Sequence, residues 1–160
     1  MTKKVLKGIA VILALLVVTI LFLYLNLSDP YGPLPGGRLQ GEEVTEPVTD
    51  WSFVQQYRIL TSEVRPSAPY SIHSAYVFHD GAIYLSCALG AQSRWSHFLL
   101  DNPDMRLRIG DQLYPVRATR IEDPALFDAI HDTRERTYPD MSPRTAEERA
   151  KVWFFHIDSR

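Results

Sequence analysis

Between Lys7 and Asp29 the chain has no charged side chain. The intervening residues 8–28, GIAVILALLVVTILFLYLNLS, are apolar all round rather than along one stripe, which is not the pattern of an amphipathic helix on a small soluble core. At ~1.5 Å per residue these 21 residues make roughly 31 Å of helix, about the thickness of a bilayer's hydrocarbon layer. Lys3, Lys4 and Lys7 precede the run and Asp29 is the first charge after it. The positive-inside rule then predicts a cytoplasmic N-terminus, with the remaining chain on the far side of the inner (cytoplasmic) membrane, in the periplasm or its extracytoplasmic equivalent. The run is longer than a usual signal-peptide core, and no small-x-small cleavage site comes after it, so the expectation is an uncleaved single-pass anchor at residues 1–28.

The chain beyond the run is long enough for one ordinary domain. Three of the 17 basic residues precede the span and all 19 acids lie beyond it, so the remainder carries 14 bases and a net charge of −5. That balance offers no electrostatic reason to expect nucleic acid. A single cysteine excludes an internal disulfide framework and a Cys-rich metal site. Its setting, IYLSCAL, is apolar, and a buried Cys87 is expected. The five histidines, His73, His79, His97, His131 and His156, show no HxH or HExxH spacing, and no metal site is expected. No G-x-S-x-G elbow supports a hydrolase, and the Gly36-Gly37 pair has no helix after it to make a phosphate loop.

Residues 29–50 hold four prolines and four glycines without apolar periodicity, and read as a linker that lifts residues 51–160 off the membrane. From Trp51 onward the pattern is regular. A strand is expected in the second half of 51–64. SIHSAYVF and AIYLSCA flank Asp80-Gly81, a strong hairpin signal because both central positions of a type I′ turn need positive φ. Ser93 opens a helix with Trp95, Phe98 and Leu99 on one face, stopped by Asn102-Pro103. A second hairpin turns at Gly110-Asp111, with Met105, Leu107 and Ile109 alternating against Arg106 and Arg108. Asp123-Pro124 starts a further helix that ends at Tyr138-Pro139. Thr145 and Glu148 stand in capping-box spacing before a short helix, and 152–157 closes the chain as a strand. The fold class is α+β, mainly β: an antiparallel barrel with peripheral helices.

Several strings, in this order, resemble the FMN-binding split β-barrel superfamily, which includes pyridoxamine 5′-phosphate oxidase-like and deazaflavin-dependent nitroreductase-like proteins. They are Asp80-Gly81-Ala82-Ile83-Tyr84, Ser86, Ser93-Arg94-Trp95, FLLDNP at 98–103, RLRIGD at 106–111 and YPVRAT at 114–119. The resemblance covers roughly residues 51–158. It implies a split barrel that forms a homodimer, with a cofactor groove between subunits. It also implies a phosphate held by a Ser/Thr at the end of the third strand and by a Ser-(Lys/Arg) pair opening the next helix. Those residues here are Ser86, Ser93 and Arg94. A helix N-terminus with free N–H groups and an adjacent guanidinium suits an anion. Ser71, His73 and Ser74 on the second strand are further contact candidates, and Trp95 is either core or a wall of the cofactor site. Ser93 is equally readable as a plain helix cap.

The chain also departs from the pattern. The loop 88–92 is short with one glycine, His73 stands where typical oxidases carry a leading arginine, and no second basic phosphate contact is apparent. Two functions are therefore expected as alternatives. One is a membrane-anchored flavin-type oxidoreductase using FMN or deazaflavin F420, with the hydride chemistry supplied by the cofactor and no acid–base residue assigned. The other is a non-enzymatic binding module on the same barrel, taking haem, another small ligand or no cofactor.

Overall fold

The computed structural model describes residues 3–25 and 28–160, with side chains for all of these except 3–6 and 23–25. Helix α1 (Lys3–Leu25) takes in the three lysines and most of the uncharged run, where Leu and Ala favour helix and few polar side chains compete for the backbone. Its one mid-helix hydroxyl, Thr19, donates back to the Leu15 carbonyl at 2.9 Å. Apolar side chains from Ile9 to Phe22 stand 43–66% exposed around the whole circumference. The anchor expected at 8–28 falls partly on residues 23–27, which lie outside the described side chains. Among the described residues no helix is long and apolar enough to cross a membrane. The fully described stretch, 7–22, spans only ~24 Å.

The remaining elements run β1 (Glu42–Glu43), β2 (Leu60–Val64), β3 (Tyr70–His79), β4 (Ala82–Cys87), α2 (Arg94–Asp101), β5 (Asp104–Ile109), β6 (Gln112–Arg120), α3 (Pro124–Thr137), α4 (Ala146–Lys151) and β7 (Trp153–Ser159). Strand order is β1-β6-β5-β2-β3-β4-β7, and a β6–β7 pairing closes a six-stranded antiparallel barrel. β6 is split along its length. Its first residues pair with β1 in parallel, and its last, Val116 to Arg120, pair with β7.

Both expected hairpins form. At the β3–β4 turn Asp80 and Gly81 have φ of 47° and 81°, as a type I′ turn requires. At the β5–β6 turn only Gly110 is positive, at 61°, which is the II′ pattern. The expected capping box also forms. The Thr145 hydroxyl accepts from the Glu148 N–H at 3.2 Å, and Glu148 accepts from the Thr145 N–H at 2.8 Å.

Alternation along the strands sends Leu60, Tyr76, Ile83, Leu85, Leu107, Val116, Phe155 and Ile157 into the barrel. A second cluster lies outside it, where Ile130 of α3 packs on Val77, Tyr84 and Phe154. Phe154 and Phe155, at 0 and 1% exposure, thus serve opposite faces of β7. Each contributes about 1.5–3 kcal/mol by burial. Helix α2 closes one end, with Leu99 buried and the Trp95 ring 5.6 Å from Phe155.

Residues 29–50, expected as a linker, run along the barrel wall as a strap. Gly36 exchanges two backbone hydrogen bonds with Ser71, at 2.9 and 3.0 Å. A Cβ at Gly36 would meet the backbone of Ser28, Asp29 and Pro30 at 2.5–2.6 Å, so the close approach needs glycine. Leu39 is 2% exposed and its N–H donates to Glu63 at 2.6 Å. The Val44 N–H donates to Leu113, and the Val48 N–H to the Ser159 hydroxyl. Arg106 and Arg108 therefore lie beneath the strap rather than on a solvated face. Arg106 pairs with Glu63 at 2.6 Å and Arg108 with Asp29 at 2.7 Å.

Candidate functional site

Strand alternation divides the candidates between the two faces of the barrel wall. On β3, Ser71 and His73 face outward, while Ser74 faces the barrel interior with Leu60 as its cross-strand partner. Ser71 is fully buried under the strap, its hydroxyl donating to the Ser28 carbonyl at 3.2 Å. His73 is exposed, its Nδ1 3.5 Å from the Thr61 hydroxyl. Ser74 is 2% exposed and its hydroxyl has no partner. These three do not share a site.

Ser86 faces outward on β4 and its hydroxyl accepts from Arg144 Nη2 at 3.4 Å. Cys87, the next residue, points inward and is buried as expected. Burial pushes its thiol pKa up, opposed by hydrogen-bond contacts with Ser93, Gly90 and Ser96. Ser93 stands at the start of α2, but its hydroxyl makes no cap hydrogen bond. Arg94 is exposed, its guanidinium 5.7 Å from the Tyr70 ring centre. Trp95 is half-buried against the core. Ser86 lines a cavity that neither Ser93 nor Arg94 lines.

That cavity, about 130 Å³, lies on the outer face of β3 and β4 beneath the C-terminal end of α3. Arg134 and Arg144 face it together with Ser86. It adjoins a larger cleft of about 320 Å³, and the two share Arg58, Tyr76 and Tyr138. The cleft walls include the rings of Tyr57, Tyr76, Phe78 and Tyr138. Three local features build it. A 3₁₀ turn at Ser52–Gln56 brings Tyr57 and Arg58 to the rim. Alternation on β3 supplies Tyr76 and Phe78. Tyr138 ends α3 because Pro139 disfavours helical backbone at the residue before it.

Tyr76 is a strut rather than an acid or base. Its hydroxyl lies 2.7 Å from the Val54 carbonyl and also contacts that of Tyr57. Burial, then the neighbouring Tyr138, pushes its pKa up to about 12. Burial also raises Tyr138, against the opposing charges of Arg58 and Arg134. At the rim, Arg58 pairs with Asp140 and holds that carboxyl below its usual range.

Behind the cavity, His131 is fully buried between Phe127 and Phe154, with ring centres 4.6 and 4.9 Å away. Neither ring nitrogen has a partner. Burial first, then the charges of Arg149, Arg144 and Arg134, lower its pKa to about 4. Sequence reasoning missed Arg58, His131, Arg134, Tyr138 and Arg144. One signal was available: Phe127, Ile130, His131, Arg134 and Tyr138 recur at helical spacing, which puts an arginine on the buried stripe of α3. Among the described residues no cluster of His, Cys, Asp and Glu could hold a metal ion.

No family model matches the chain, and no curated protein sequence matches it. Solved structures do. A provisionally named pyridoxamine 5′-phosphate oxidase from Listeria innocua is 15% identical with a TM-score of 0.53, covering 68% of this chain and 89% of its own. A provisionally named 5-nitroimidazole antibiotic resistance protein from Bacteroides thetaiotaomicron is 14% identical with a TM-score of 0.53, covering 81% and 89%. HutZ, the haem storage protein from Vibrio cholerae, is 12% identical with a TM-score of 0.52, covering 68% and 86%. At these identities the likeness concerns fold alone: the chain shares its split-barrel fold with these structures.

Proposed function

We propose that this protein binds a phosphorylated flavin-type cofactor, FMN or deazaflavin F420, and serves as an oxidoreductase held at a membrane by residues 8–28. The observation that carries the reading is the cleft walled by Tyr57, Tyr76, Phe78 and Tyr138, on a barrel whose fold is shared with a pyridoxamine 5′-phosphate oxidase-like structure. Aromatic walls offer stacking partners to a flat heterocycle. The cleft volume of about 320 Å³ is at the lower end of ligand sites. The chain's own residues bind and orient the ring, and the cofactor when bound supplies the hydride chemistry. An absorbance scan of the full chain, purified in mild detergent with and without added FMN or F420, tests this. Uptake with a flavin-type band is expected, and weaker uptake by Tyr138→Ala. A spectrum that stays featureless after reconstitution rejects it.

A second reading, a non-enzymatic module for haem or another small ligand, is favoured by a different observation. Ser93 and Arg94 do not line the Ser86 cavity, so the expected phosphate set is dispersed. HutZ, a haem storage protein, shows that this fold serves such a role elsewhere. A Soret band in the same scan would select this reading.

Membrane attachment through residues 8–28 and pairing into a homodimer belong to the same proposal. The first is supported by the uncharged 21-residue run behind three lysines. Release of the protein from membranes by alkaline carbonate would refute the anchor. A monomeric mass by light scattering would refute the dimer.

A further inference from the structure

Arg134 is 7% exposed, yet among the described residues no carboxylate stands within ion-pair distance of it or of Arg144. In each, Nη1 is buried without any hydrogen-bond partner. Their Nη2 atoms reach only neutral groups: the Met141 sulfur at 3.7 Å for Arg134 and the Ser86 hydroxyl at 3.4 Å for Arg144. Both line the same cavity of about 130 Å³, whose other walls include Ile59, Val77 and Met141. Its volume is well above the ~10–15 Å³ that a single water needs. A buried charge without a partner is costly, so the buried Arg134, with the half-buried Arg144 beside it on the same cavity, calls for a counter-charge there.

His131, packed behind the cavity, feels the same arginines. Its imidazole is held neutral, first by burial and then by three arginines. Of these three, only Arg149 has carboxylates at ion-pair distance, Asp132 at 3.0 Å and Glu135 at 3.9 Å, while Glu148 and Glu135 act on Arg144 from farther away.

We infer that this cavity is an oxyanion site for a phosphate-class group, with Arg134 and Arg144 as guanidinium donors and Ser86 as a hydroxyl donor. Ser86 accepts from Arg144, which leaves its own O–H free to donate. Two forks and a hydroxyl suit the several oxygen faces of a phosphate better than the single edge of a carboxylate. The inference goes beyond the flavin reading, because it applies equally to a free phosphate ion and to the phosphate end of a ligand seated in the adjoining cleft.

Calorimetric titration of the full chain in mild detergent with inorganic phosphate, at low ionic strength, tests it. One phosphate per chain is expected. Arg134→Gln and Arg144→Gln should each weaken binding by about tenfold or more, the loss of one charge-assisted hydrogen bond. Arg117→Gln, at an exposed pair with Asp104, should leave it unchanged. Arg134 is buried and its variant can fail to fold, so Ser86→Ala, which keeps every charge, provides a second reading with a smaller loss. Parallel titrations with FMN and riboflavin separate the sources. Competition by phosphate against FMN but not riboflavin places a ligand's phosphate in the cavity, and phosphate binding without competition assigns the free ion. No phosphate uptake by the wild type, or uptake that Arg144→Gln and Ser86→Ala leave intact while Arg94→Gln abolishes it, overturns the inference. Phosphate binding in a protein that takes no flavin overturns only the flavin reading.

Discussion

Removing Arg106 should cost more than any other single change on the strap side of the barrel. Glu63 is 3% exposed, and its two oxygens accept from Arg106 Nε at 3.2 Å and Nη2 at 2.6 Å. The oxygen bound to Nη2 also accepts from the Leu39 N–H at 2.6 Å. Arg106 in turn reaches the Leu39 carbonyl and Glu43, both at 3.3 Å. In Arg106→Met the carboxylate stays buried with only one backbone N–H for company. Breaking a buried pair from one side costs about 3–5 kcal/mol. At ~4 °C per kcal/mol for a domain of this size, the melting temperature should fall by roughly 12–20 °C.

Urea unfolding of the full chain in detergent, followed by tryptophan fluorescence, measures the loss. Hydrogen exchange at Leu39 shows whether the strap lifts with it. The double variant Glu63→Leu/Arg106→Met removes the stranded charge and should recover about half of the loss, leaving about 1–3 kcal/mol for the orphaned Leu39 N–H. A single-variant loss below about 1 kcal/mol would mean that the pair behaves as a surface ion pair, and the reasoning fails.

His131 should make stability fall as pH drops. Its folded pKa, about 4, lies below the ordinary value of 6.5, so the unfolded chain binds the extra proton in that window. The contribution, on the order of 3 kcal/mol, is complete above ~6.5 and lost as pH falls toward ~4. His131→Leu should flatten the stability slope between these limits, and an unchanged slope assigns it to other groups. Thr145→Ala removes the capping box and should cost about 1 kcal/mol in a thermal melt, with no change refuting the role of the cap. Native Cys87, with its thiol pKa raised by burial, should react with a thiol reagent only at the rate of unfolding; rapid labelling would show an opening the fold does not display.

Much of the barrel was legible because its signals are local. Asp80-Gly81 forces a turn whatever surrounds it, and Met105, Leu107 and Ile109 alternate with arginines because β5 has one face in the core. The strap was not legible. Gly36 and Ser71 join through backbone atoms alone, a contact that leaves no side-chain pattern, and proline-rich composition looks the same in a free spacer and in an adherent segment. Among the site candidates, Ser86 reached a cavity, but its basic neighbour came from Arg144, 58 residues away, instead of Arg94.

The sequence by itself determined the order of elements beyond residue 51, both hairpins, the helix starts and the uncharged N-terminal run, since each depends on φ preferences, caps or hydrophobic period within a few residues. Tertiary structure decided which of these side chains meet. Closure of β6 on β7 and the docking of α3 over β3 and β4 turn Ser86, Arg134 and Arg144 toward one cavity, while the same closure draws Ser74 into the interior and lays the strap over Ser71. A two-residue period shows that neighbouring side chains on a strand face opposite ways. Only the packed barrel settles what each face meets.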